Sequence, residues 1–152
     1  MNAKDRNRVY RNDDVESLSM SMSSKRIEIA QTFCGTVENV RRAIEIECFV
    51  ERERTLAEEL CKIIAEVMLL PPNAAVRIAG NDFPAQMISE IYQLLDHEHI
   101  EFVIDNYKRM TYRITAKKTY LRTALYNSIF EYESHIENQV AMCLGGNRGG
   151  ST

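Results

Sequence analysis

The sequence predicts a mainly α fold: a compact helical domain of four to five helices with one short β-hairpin near residues 76–83. Three observations carry that expectation. Apolar side chains recur at spacings of three and four through most of the chain from Leu56 to Val140, which builds one buried stripe per helix. The strand-like run Val76-Arg77-Ile78 meets Gly80-Asn81, a pair suited to a tight hairpin turn, with Asp82-Phe83 as the returning strand. The three prolines, Pro71, Pro72 and Pro84, stand where periodic stretches stop or start.

Taken in order, residues 1 to 25 mix Asn, Asp, Arg and Ser without sustained periodicity and are expected to form a flexible arm. The helical domain is expected over 26–144. Val37, Val40 and Ile44 predict a short helix with Thr36 as its N-cap. From Ile44 to Glu51 apolar residues alternate, which suits an extended piece and a continued helix equally. Thr55-Leu56-Ala57-Glu58 reads as a capping box opening a helix whose Leu56, Leu60, Ile63, Ile64 and Val67 face the core, and Pro71-Pro72 closes it. After the hairpin, Pro84 suits a first helical turn, and Met87, Ile88, Ile91, Tyr92 and Leu95 give that helix its apolar face. Asp96 caps the next helix, with Ile100, Val103, Ile104 and Tyr107 on one side. The last helix carries Leu121, Ala124, Leu125 and Ile129, runs on through Tyr132, Ile136 and Val140, and stops at Gly145-Gly146; residues 145–152 form a disordered tail by composition.

The totals exclude several function classes. With 152 residues, 45% hydrophobic and 27% charged, the chain fits one globular core. No apolar run approaches the roughly 20 residues a membrane-spanning helix needs, and the N-terminus has no apolar signal core, so no membrane contact and a cytoplasmic location are expected. Four scattered cysteines without a C-x-x-C pair read as small buried hydrophobes in a reducing compartment rather than zinc ligands. His97 and His99 are two apart, about 200° around a helix, and cannot share one ion. No nucleophile sits in a recognisable elbow, and Glu58-Glu59 is explained by a helix dipole. No enzyme activity, cofactor or metal is expected.

The concentrated chemical signal is a basic elbow between the last two helices. Net charge is −3, yet residues 101 to 130 carry six cations against only Glu101 and Asp105. Lys108, Arg109, Arg113, Lys117, Lys118 and Arg122 interleave with Tyr112 and Tyr120, and such a mixture meets phosphates while offering rings on which bases stack. These eight residues are the candidate nucleic-acid or partner-binding site. The competing reading is a solvated helix face, and the decisive question is whether the cations point outward or pair with glutamates of neighbouring segments.

The same residues carry a resemblance. V-R-I-A-G-x-D-x-P-A at Val76 to Ala85, H-I-E-F-V-I-D at His99 to Asp105 and Y-L-x-T-A-L-Y-N at Tyr120 to Asn127 resemble the C-terminal domain of the replication initiator protein A family of Firmicute plasmids and mobile elements. With the helix near Thr55, the match covers about half the chain. That domain is in turn similar to the C-terminal domain of DnaD-type primosomal proteins: Tyr120, Leu121, Ala124 and Leu125 match the first part of its motif, while Ser128 stands where that family usually has tryptophan. The resemblance implies a helical module that joins an initiator to host replication proteins, such as helicase-loading components, or touches DNA, single-stranded or non-specifically. Residues 1 to 50 are too short and irregular for the winged-helix domain of such initiators, so origin recognition is not expected of them. The alternative is a protein adaptor or regulatory domain without DNA binding, self-associating as a homo-oligomer through the amphipathic helix from Thr119 to Val140.

Overall fold

The computed structural model describes residues 12–145, with side chains from residue 23 onward. The fold is mainly α, with five helices and one two-stranded antiparallel hairpin among the described residues. It divides into two compact units, Met1–Gly35 and Thr36–Thr152. The first helix, α1 (Asn12–Ala43), begins within the stretch expected as a flexible arm, so residues 12–25 of that arm are helical; its residues 1–11 lie outside the described residues. Thr36 is therefore interior to a helix and not an N-cap. In the first unit the described side chains are exposed apart from a half-buried Phe33.

The second unit holds the core. After α1, Glu45 takes a left-handed conformation (φ 53°) and leads into a short 3-10 turn, Ile46–Cys48, which resolves the ambiguous stretch as neither strand nor continued helix. The next helix, α2 (Glu51–Met68), starts from Val50, so the Thr55–Glu58 capping box is not formed. Glu51 and Glu53 fill its first turn, where carboxylates meet the positive end of the helix dipole. Ala57, Leu60, Cys61, Ile64 and Val67 are buried, and α2 packs against the three helices that follow it. It ends at Met68, before the two prolines, as expected.

β1 (Ala75–Ile78) and β2 (Asn81–Pro84) pair with Ile78 opposite Asn81, so the turn residues are Ala79-Gly80 rather than Gly80-Asn81. Both have positive φ (50° and 82°), the geometry that matches the right-handed twist of the flanking strands. The Ala79 N–H donates to Thr123 Oγ1 at 3.2 Å, which fixes the turn on the last helix. Pro84 is the N-cap of α3 (Ala85–Tyr92) rather than a first-turn residue. Asp96 caps α4 (His97–Lys108) as the sequence predicts: its carboxylate accepts the His99 N–H at 3.1 Å, and His99 Nδ1 lies 2.7 Å from the same oxygen. The final helix is α5 (Lys117–Gly145); the rest of the expected tail lies outside the described residues.

Burial treats the cysteines unevenly. Cys61 is in the core, whereas Cys34, Cys48 and Cys143 are exposed, which corrects the expectation of buried thiols. No described helix is long and apolar enough to cross a membrane.

Candidate functional site

The elbow is the segment from Arg109 to Ala116 between α4 and α5. Arg109 is the C-cap of α4, and its backbone N–H closes on Asp105. Buried Ile100, Val103 and Ile104 hold α4, and buried Leu121 and Leu125 hold α5, so both ends of the elbow are anchored in the same core.

Three of the six predicted cations pair with glutamates of α2 while staying partly exposed. Lys108 pairs with Glu53, Lys117 Nζ lies 2.7 Å from Glu59 Oε2, and Lys118 pairs with Glu66. Lys117 also stands over the Tyr107 ring, 5.5 Å from its centroid. The hydrogen bond to Glu59 raises the Lys117 pKa, so the ammonium is charged wherever the protein is folded at ordinary pH. These bonds lace the elbow's flanks to α2, and each is a partly exposed ion pair whose net worth is about 0–1 kcal/mol.

Arg122 is directed into the fold. It is half-buried, its Nε is enclosed without a hydrogen-bond partner, and its backbone carbonyl accepts the Tyr92 hydroxyl at 2.6 Å. Burial pushes the Tyr92 phenol up, and the nearby Arg122 charge only partly offsets it. Tyr120 is half-buried, its ring 6.3 Å from that of Tyr107, and desolvation raises its phenol too.

What faces outward is smaller than the sequence suggests. Arg109 and Arg113 are exposed and make no ion pair among the described residues, and Tyr112 between them is 66% exposed. Beside them runs a shallow groove of about 380 Å³, walled by Tyr112, Arg113, Thr119 and Tyr120 on one side and by Ala79 and Gly80 of the hairpin turn on the other. The hairpin's part in this groove was not readable from the chain order; the bond from Ala79 to Thr123, 44 residues away, creates it.

The histidines have structural partners. His97 Nδ1 lies 3.0 Å from the Ile44 carbonyl with its ring 4.2 Å from Phe49, and His135 sits against Phe102 and Gln139. Among the described residues no three His, Cys, Asp or Glu side chains gather in a metal-holding arrangement.

Fold and surface together define a small helical domain with an open, arginine- and tyrosine-bearing groove at one bend. The chain belongs to the family of unknown function DUF6017, whose sequence profile matches residues 19–145. No curated protein and no solved structure matches it.

Proposed function

We propose that the domain is a non-catalytic interaction module of a plasmid or mobile-element replication protein, acting in the cytoplasm. It docks host replication proteins through the elbow, with helicase-loading components the class the resemblance implies. The observation that carries this reading is the division of labour among the cations: three lysines pair with α2 glutamates, while Arg109 stands exposed at the end of α4 and Tyr112 and Arg113 wall a groove. Arginine and tyrosine are the residue types that dominate binding hot spots, and a guanidinium meets a partner's carboxylate with two parallel hydrogen bonds.

Magnitude makes DNA the secondary ligand. Two free cations neutralise about two phosphates, which for a single strand gives a log–log salt slope of only about −1.4. On a chain of net charge −3 that supports a weak auxiliary contact, not tight binding. The test is capture of host replication proteins from a lysate, identified by mass spectrometry, with wild type and R109E/R113E as baits. Loss of the recovered proteins with the double variant supports the reading; equal recovery refutes it. Anisotropy with single-stranded DNA over a salt series, with a slope much steeper than −1.4, would instead make DNA the main ligand.

A further inference from the structure

The groove beside the elbow does not end at Tyr120. Tyr120 and Thr123 also wall a second, narrower cleft of about 100 Å³ between α4 and α5, lined by Phe102 and Asn106 of α4 and by Asn127 and Glu131 of α5. At ~100° per residue, Tyr120, Ala124, Asn127 and Glu131 fall within about 60° of one another, so they form one track along α5. Phe102, Asn106 and Arg109 share a face of α4 in the same way. Every residue of this track belongs to the second unit.

Two features of the cleft are not used by the fold. The side-chain amides of Asn106 and Asn127 are half-buried, and neither makes a hydrogen bond among the described residues, although each carries donors and an acceptor. Glu131 is exposed and has no ion pair among the described residues, and no lysine or arginine occurs on its own helix from Thr123 to Gly145. Its charge adds, after burial and Tyr112, to the rise of the Tyr120 phenol, which sets it beside the same track. The track therefore carries opposite charges at its two ends, Arg109 and Arg113 at the elbow and Glu131 at the far end, with amides and rings between them.

That polarity selects the occupant. A phosphate chain suits the arginines, but its further charges would face Glu131, and like charges set against each other cost affinity. A helix is about 10 Å across and does not enter a cleft of this volume. An extended peptide meets both constraints: its open backbone N–H and C=O groups pair with the Asn106 and Asn127 amides, and its side chains supply a charge for each end. From Tyr120 to Glu131 the helix rises about 16 Å, which an extended chain spans in about five residues, and the arginines lie beyond Tyr120. We infer that the elbow groove and the cleft together bind an extended segment of a partner protein. That segment carries a carboxylate for Arg109 and Arg113 and, about five to eight residues away, a lysine or arginine for Glu131. This rests on the elbow being a protein-docking site and adds to it the far half of the site and the charge order of the segment it takes.

Selection from a random peptide library displayed on phage, with the full chain as bait, is the test, followed by anisotropy titration of the enriched peptide, synthesised with a fluorescent label. Enriched peptides should carry an acidic and a basic residue at that spacing and in one order. R113E and E131K, each with helicity confirmed by circular dichroism, should raise the dissociation constant about tenfold, and a peptide whose basic residue is changed to glutamate should regain affinity for E131K. N106A/N127A should weaken binding several-fold. No enriched peptide, enrichment without a basic residue, or weakening by R113E alone overturns the proposal and leaves the elbow as a docking site. A single-stranded oligonucleotide that outcompetes the enriched peptide overturns it too, and binding unchanged by both R113E and E131K overturns the proposal and the elbow reading together.

Discussion

The contrast between K117E/K118E and R109E/R113E separates holding the fold from docking a partner. In the first variant two attractive contacts become repulsive, carboxylate facing Glu59 and carboxylate facing Glu66. These groups are 39–55% exposed, so solvent screens them and each lost pair is worth about 0.5 kcal/mol, with like-charge repulsion adding a similar amount. Losing Lys117 from the Tyr107 ring removes about 0.5 kcal/mol more. The sum is about 2.5 kcal/mol, which for a chain of this size lowers Tm by roughly 5–10 °C. In R109E/R113E no ion pair is broken, and the change stays within about 0.5 kcal/mol. Differential scanning calorimetry at low salt reads both, and at 1 M salt, where the screening length is about 3 Å, the repulsive part of the first deficit should shrink. Equal stability of K117E/K118E and wild type, or a Tm loss in R109E/R113E as large as in the lysine variant, would refute the assignment of the lysines to the scaffold.

Four further outcomes follow from the core and its turns. Ser128 is fully buried with its hydroxyl donating to the Leu125 carbonyl at 2.7 Å, so S128W overpacks the core and should cost about 1–3 kcal/mol or more in chemical denaturation. E45G relieves a left-handed conformation and should raise stability by up to about 1 kcal/mol in the same assay. Tyr92→Phe removes the phenol's hydrogen bond to the Arg122 carbonyl and should cost about 0.5–1.5 kcal/mol while leaving partner capture intact. Burial pushes the Cys61 thiol from 9.0 up to about 12, so a thiol reagent should modify Cys34, Cys48 and Cys143 in the native protein and Cys61 only on unfolding. The same shift has a defined sign: the unfolded thiol ionises first, so Cys61's contribution to stability is full below pH 9 and is lost as pH rises towards 12.

Much of the fold was legible because its signals are local. The stripes of α2, α4 and α5 and the Asp96 cap are written in spacings of three and four and in one capping residue. The misreadings have physical causes. Thr55 and Glu58 satisfy a motif that acts only at a helix end, and α2 had already begun at Glu51. Residues 12–25 lack a clear apolar period, yet they continue a helix whose later turns are anchored by Val40 and Ile44. The hairpin slipped by one residue because Ala79 accepts a positive φ that sequence reasoning reserves for Gly or Asn. The candidate site was half legible: clustering of cations is visible in sequence, but Lys108 meets Glu53 across 55 residues and Lys117 meets Glu59 across 58, and no local pattern encodes such pairs.

The central claim is that the surface left by this pairing, Arg109 to Arg113 with the adjoining groove, is where a partner sits. Hydrogen exchange on the chain with and without a host replication protein captured by it measures this directly. The account predicts slowed exchange in residues 109–120 and at the Ala79-Gly80 turn, with α2 unchanged; protection confined to other segments, with the elbow exchanging as in the unbound protein, would contradict it.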